Sequence, residues 1–359
     1  MFEFLNNWLA NGGFWVAIPL IIIGCAALIK GADFLVDGAS ALAKKYGVSD
    51  IVIGLTVVAF GTSMPEFVVN MVAVGQGSTE IAITNVLGSN IINIFVILGC
   101  TALIFPISSQ KSTRRFDIPF SLLAALLVLL FAVYNSPSWL QIEHIFNMNI
   151  ADPTLSDLGS IQMGQGNGGF ISGVGGSILL IFFLIFLWHN FKGIGSAPQT
   201  ESNEEYKPMS ARRALALIIG SLVGLVVGGE VIVKSATSIA QSLGVSDAII
   251  GLTVVALGTS LPELATSCMA AFKKNCDIAL GNVIGSNLFN IFFILGTSAC
   301  VKALPGYHGL EIDALMAALG SVLVMLFVYL TKKHEIKRWH GAILLLTYAA
   351  YLTYRIITV

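Results

Sequence analysis

Residues 47–66 read GVSDIVIGLTVVAFGTSMPE, and residues 244–263 read GVSDAIIGLTVVALGTSLPE. A second block follows each of them, NVLGSNIINIFVILG at 85–99 and NVIGSNLFNIFFILG at 282–296. Both pairs lie at one offset, 197 residues, and an ungapped alignment of 31–99 on 228–296 has 34 of 69 positions identical. Duplication that only multiplies a packing unit preserves Gly, Ala and aliphatic positions, because small residues let membrane helices approach. Here the identity also concentrates on Thr, Ser, Pro, Glu and Asn inside apolar runs, which points to a shared polar site.

The rest of the chain says what surrounds that site. Of 359 residues, 56% are hydrophobic and only 11% charged, against about 25% charged in ordinary soluble domains. Nineteen Lys and Arg oppose 20 Asp and Glu, for a net charge of -1, so no basic field attracts nucleic acid. The chain reads as an all-α polytopic membrane protein. A crossing needs about 20 apolar residues, and ten stretches qualify: 14–45, 50–74, 80–105, 116–134, 170–188, 213–242, 247–272, 277–303, 310–330 and 339–357. The first and sixth exceed one crossing and are expected to tilt or bend.

Basic residues set the orientation. With the N-terminus outside, 15 of the 19 Lys and Arg fall on the cytoplasmic side. Both termini are then outside, at the cell membrane, and the loop 135–169 faces out. Five crossings separate equivalent points of the two copies, and five is odd, so the copies enter the membrane with opposite orientation. The expected domains are a first five-helix half at 1–188 (repeat 31–99), a polar cytoplasmic linker at 189–212, and a second half at 213–359 (repeat 228–296). Inverted repeats of this kind place transport sites near the midplane.

Glu66 and Glu263 carry the chemistry. A carboxylate inside the bilayer costs at least ~2.5 kcal/mol on insertion scales, and neither span offers a nearby Lys or Arg. Two such groups meeting between halves make a natural cation site. Pro65 and Pro262 precede them; each lacks an N–H, so the carbonyl of Gly61 or Gly258 loses its helical partner. Broken helices at membrane depth are tolerated where backbone lines a cavity, and freed carbonyls are cation ligands. Thr62 and Ser63 fall on the face of Glu66 by i,i+4 and i,i+3 spacing. Asn85, Ser89 and Asn93 form an i,i+4,i+8 stripe, repeated as Asn282, Ser286 and Asn290. Ca²⁺ takes 6–8 oxygens, which two Glu with the Thr carbonyls could supply. Ser hydroxyls with freed carbonyls suit Na⁺. Asn85, Asn90, Asn282 and Asn287 read first as helix-binding groups. Asp33 and Asp37, near Lys30, and Glu230 with Lys234 read as charges that pair locally or face the headgroups. The five cysteines show no CxxC or Cys/His spacing, and HExxH and GxSxG are absent. A transporter rather than an enzyme is expected, with no cofactor.

At GTSMPE/GTSLPE with NVLGSNIIN/NVIGSNLFN the chain resembles the cation/calcium antiporter superfamily, in particular its sodium/calcium exchanger branch with its compact bacterial and archaeal members. The resemblance covers both repeats and nearly the whole chain. It implies calcium carboxylates at Glu66 and Glu263 with the carbonyls of Thr62 and Thr259. It implies sodium positions at Ser63, Ser89, Ser260 and Ser286 with the carbonyls of Ala59 and Ala256. Asn93 and Asn290 match the position lining the centre of the site, where family members often carry one acid. Asn at both lowers the site charge and leaves ion stoichiometry and potassium dependence open. The expectation is Na⁺-driven Ca²⁺ exchange by a monomer in the lipid bilayer, both ions being substrates, with protons competing for the carboxylates. Exchange of a divalent cation for H⁺ or K⁺ is the alternative, and a cation channel a more distant one.

Overall fold

The computed structural model describes residues 3–134, 170–192, 209–244, 256–307 and 309–358. The expected outer loop 135–169, most of the linker and the opening of the seventh span at 245–255 lie outside the described residues. We number the main helices α1 (Glu3–Tyr46), α2 (Met64–Gly75), α3 (Thr79–Ile92), α4 (Asp117–Tyr134), α5 (Gly173–Lys192), α6 (Ala211–Ser242), α7 (Leu261–Phe272), α8 (Cys276–Leu288), α9 (Leu310–Leu330) and α10 (Arg338–Thr358).

Among the described residues seven helices are long and apolar enough to cross a membrane. A bent pair, Asp50–Thr62 with Met64–Gly75, whose axes meet at 45°, makes an eighth when counted as one broken span. Helix α10 has the length, at 21 residues, but is not among those seven; Arg338, His340 and Arg355 dilute its apolar run. Helix α7 is described only from its broken end.

The first and sixth expected spans are the long ones, at 44 and 32 residues. At 1.5 Å per residue the first far exceeds the ~30 Å hydrocarbon core. The two helices pack on each other through small residues. A Cβ on Gly24 would lie 2.9 Å from the Gly228 carbonyl, one on Gly31 3.3 Å from the Ser221 carbonyl, and one on Gly38 3.0 Å from the Ala214 carbonyl. As numbers rise along α1 they fall along α6, so the helices are antiparallel. Their other faces carry Ile22, Ile23, Val223 and Ile219, each more than half exposed, as a lipid solvent requires.

The charges on α1 do not pair locally. Asp33 and Asp37 both reach Lys273, just past α7, at 2.7 and 2.5 Å. Lys30 lies on the same helix, but α1 packs against α7, and the antiparallel fold brings a cation from 240 residues away. Burial alone would lower the Lys273 ammonium, but its hydrogen bonds to Asp33 and Asp37 and their charges outweigh that and hold its pKa above the ordinary lysine value. Glu230 and Lys234 do pair within α6, at 3.4 Å.

Helix α8 crosses the Asp50–Thr62 segment in backbone contact. A Cβ on Gly285 would sit 2.6 Å from the Leu55 carbonyl, and one on Gly281 3.0 Å from that of Ile51. This contact delivers the side chains of the NVIGSN block to the helix break. Short antiparallel strand pairs stitch distant segments: β1 (Ile107–Ser108) with β4 (Glu335–Ile336), and β2 (Phe170–Ile171) with β3 (Leu304–Pro305).

Candidate functional site: two broken helices and a ring of buried oxygens

The helix breaks where the sequence places Pro. Ser63 leaves helical geometry at φ -86°, ψ 6°, with Pro65 in the first turn of α2. Ser260 does the same at φ -90°, ψ 5°, with Pro262 in the first turn of α7. The two copies therefore break alike, and each break puts a glutamate in the first turn of the following half-helix. An α-helix N-terminus carries about half a positive charge, which favours a carboxylate there. Turns wider than the α-helix span Asn93–Leu98 and Phe289–Leu295, so Asn93 and Asn290 sit at sites of locally loosened helix, a feature often found where helices do chemistry.

Glu66 and Glu263 are each 1% exposed. Ser63 Oγ donates to Glu263 Oε1 at 2.9 Å, across 200 residues of chain. Thr62 and Ser286 also lie against Glu263, while Glu66 meets Thr259 and the repulsive charge of Glu263 itself. Neither carboxylate has a salt-bridge partner among the described residues. Thr62 Oγ1 lies 3.1 Å from Asn282 Oδ1.

The asparagines form two shells. In the outer one, Asn282 Nδ2 donates to the Glu263 carbonyl at 3.3 Å and to Ser267 Oγ at 2.9 Å. Asn85 Nδ2 donates to the Glu66 carbonyl at 3.3 Å and to Asn70 Oδ1 at 2.7 Å. In the inner one, Asn90 and Asn287 exchange amide-to-carbonyl bonds at 3.2 and 3.4 Å. Asn93 donates to Asn287 Oδ1 and Asn290 to Asn90 Oδ1, both at 3.0 Å. The helix-binding reading of Asn85, Asn90, Asn282 and Asn287 agrees with this geometry.

What these bonds leave over defines the site. Among the described side chains thirteen buried polar atoms have no hydrogen-bond partner, and seven are the oxygens Glu66 Oε2, Glu263 Oε2, Ser89 Oγ, Ser286 Oγ, Asn93 Oδ1, Asn290 Oδ1 and Ser260 Oγ. Six of the seven are pairs related by the repeat. An unsatisfied buried polar group costs about 1–3 kcal/mol, and in native proteins each asks for an explanation. Oxygens alone, with no protein donor supplied, are what a hard cation binds.

Ala59 departs from that pattern. Its carbonyl already accepts from Ser63 N at 3.0 Å, so one of its lone pairs is engaged. Ala256 opens the short helix Ala256–Gly258, at the edge of the described residues. Asn70 and Ser267, absent from the sequence-based set, are 0% exposed. Asn70 Nδ2 also donates to the Ala82 carbonyl at 2.9 Å. Both fall four residues after their glutamates, so helical spacing alone could have found them.

A family model described as "Sodium/calcium exchanger protein" matches residues 16–192 and 213–357, leaving out only the linker and the chain ends. The sodium/calcium exchanger MaX1 of Methanosarcina acetivorans is 33% identical over 351 residues, covering 93% of this chain and 96% of its own length. A membrane protein of Methanocaldococcus jannaschii, MJ0091, is 35% identical over 334 residues, covering 93% and 96%. A solved structure of the sodium-calcium exchanger NCX_Mj, soaked without Na⁺ and Ca²⁺, superposes with a TM-score of 0.74 at 31% identity, covering 94% of this chain and 98% of that one. The apolar helices and these membrane relatives make the protein a multi-pass membrane protein. It belongs to the sodium/calcium exchanger family, within the cation/calcium antiporter superfamily.

Proposed function

We propose that the protein exchanges Na⁺ for Ca²⁺ across the cell membrane by alternating access, and that the unpartnered oxygens between the two broken helices are the ion site. That set carries the proposal: seven buried oxygens without hydrogen-bond partners among the described residues, six of them in repeat-related pairs, built around two carboxylates that form no salt bridge among the described residues. Glu66 and Glu263, with the carbonyls of Thr62 and Thr259, take calcium. Ser63, Ser89, Ser260 and Ser286 take sodium together with the carbonyls of Ala59 and Ala256, the former through the lone pair that Ser63 N leaves free. Asn93 and Asn290 line the centre. The ions are substrates, and no cofactor or catalysed reaction enters.

The architecture we infer is ten crossings in two inverted five-helix halves, 1–188 and 213–359, joined by a cytoplasmic linker at 189–212, with both termini outside and a monomer as the working unit. The antiparallel packing of α1 on α6 supports it: Gly24 and Ser221 are repeat-equivalent, as are Gly31 and Gly228, and the Gly24–Gly228 and Ser221–Gly31 contacts are each other's counterparts.

Calcium uptake into proteoliposomes under outward Na⁺, K⁺ or H⁺ gradients tests the reading. Uptake is expected to follow the Na⁺ gradient, to fall as acid protonates the carboxylates, and to vanish in both Glu66→Gln and Glu263→Gln. Uptake that ignored every counter-ion gradient would indicate a channel. A Glu66→Gln protein transporting at the native rate would remove the site assignment.

A further inference from the structure

Away from the proposed ion site, the turn between α9 and α10 frames a half-open cavity of about 660 Å³. Leu326, Phe327, Leu330 and Trp339 make one wall, and Lys332, Lys333 and Lys337 stand around the mouth with Glu335. We propose that this cavity binds the headgroup of an anionic phospholipid, with the acyl chains lying along the apolar wall.

Three observations carry this. First, none of the three lysines forms a salt bridge among the described residues, and only Glu335 opposes them, so the mouth is left cationic. Second, the neighbouring wall is hydrocarbon that protein does not cover: Leu330 is 78% exposed, Trp339 57% and Leu326 42%. A ligand that satisfies both surfaces is anionic at one end and apolar at the other. Inorganic phosphate would meet the charge and leave the wall unused. Basic clusters beside membrane helices recruit anionic headgroups, and an exposed Trp beside them marks the depth of the membrane interface.

Third, the turn is held rather than loose. Ile336 and Glu335 pair with Ile107 and Ser108, and Ser109 Oγ donates to the His334 carbonyl at 2.7 Å. Thr331 Oγ1 closes the turn on the Glu335 carbonyl at 2.9 Å. His340, 2% exposed, stacks on Phe327 with ring centroids 4.1 Å apart and accepts from the Lys337 amide at 2.9 Å. The lysine backbone is thus mounted in position before a lipid arrives.

The test uses the full chain in detergent micelles carrying brominated phosphatidylglycerol or brominated phosphatidylcholine. The fluorescence of Trp339 is isolated by subtracting a Trp339→Phe variant. Phosphatidylglycerol is expected to quench Trp339 at far lower lipid fractions than phosphatidylcholine. A surface lysine contributes about fivefold in affinity for anionic lipid, so the Lys332→Gln/Lys333→Gln/Lys337→Gln protein should lose about 100-fold of that preference. Native mass spectrometry should show one phosphatidylglycerol retained by the native chain and lost from the variant. Equal quenching by both lipids in the native protein, which needs no variant to fold, would overturn the proposal. So would an unchanged preference in the triple variant, or displacement of the lipid by inorganic phosphate, which would make the cavity a free-anion site.

Discussion

The two copies of the repeat carry the same residues at the centre and bond them differently. Ser63 donates to Glu263 at 2.9 Å, whereas its counterpart Ser260 has a buried hydroxyl without a partner. Four residues beyond the glutamates, the first copy has Asn70, tied to Ala82, Asn85 and Ser298. The second has Ser267, which receives only Asn282 among its recorded bonds. The charges that fasten the long helices differ as well: Asp33 and Asp37 of α1 grip Lys273, while the equivalent Glu230 of α6 pairs within its own helix and Gln76 stands where a second lysine would be. Two inverted copies in identical conformations would open equally to both sides of a membrane. Part of the difference is compositional, at Asn70 against Ser267 and Lys273 against Gln76, and part is conformational, since Ser63 and Ser260 are the same residue with different partners.

Each difference can be broken separately. The largest effect is expected at the serines. A hydrogen bond to a charged group contributes about 1.5–3 kcal/mol, so on the proposed exchange Ser63→Ala should weaken calcium binding about 10–100-fold from one side of the membrane. Ser260→Ala should leave binding from that side nearly intact and weaken it from the opposite one. Half-saturation measured from each side in oriented proteoliposomes decides this, and equal changes from both sides would show that the asymmetry is not functional.

Asn70→Ser, which makes the first copy resemble the second, comes next. It removes the bond to the Ala82 carbonyl and should cost about 1–2 kcal/mol, read as a lowered unfolding midpoint in detergent. Ser267→Asn would sharpen the point if it narrowed the gap from the other side. The smallest effect is expected for Lys273→Gln. Lys273 and its partners are partly exposed, at 15% for the lysine and 29% and 39% for the acids, and such pairs contribute about 0–1 kcal/mol. A shift of up to about fivefold in the balance between the two facing states is expected, visible as altered labelling of a cysteine placed at Gln76. No shift at all would make the contact a mere surface ion pair.

The site was legible in the chain to the extent that charge is scarce there. Glu66 and Glu263 stood out because nothing near them in sequence neutralises them, and Pro65 and Pro262 marked the breaks that the structure places at Ser63 and Ser260. Asn70 and Ser267 were readable from i,i+4 spacing yet hidden by their ordinary chemistry. Lys273 was not readable as a partner of Asp33 and Asp37, since no local pattern links positions 240 residues apart.

By itself the sequence determined the membrane environment, the duplicated polar blocks and the residue types at the centre, because hydrocarbon solvent and helical periodicity act locally along the chain. Only the tertiary structure decided which serine bonds which glutamate, which oxygens remain without donors, and which cation secures α1. Those depend on how two copies meet across space, and identical residues there take unequal partners because each donor proton serves one acceptor at a time.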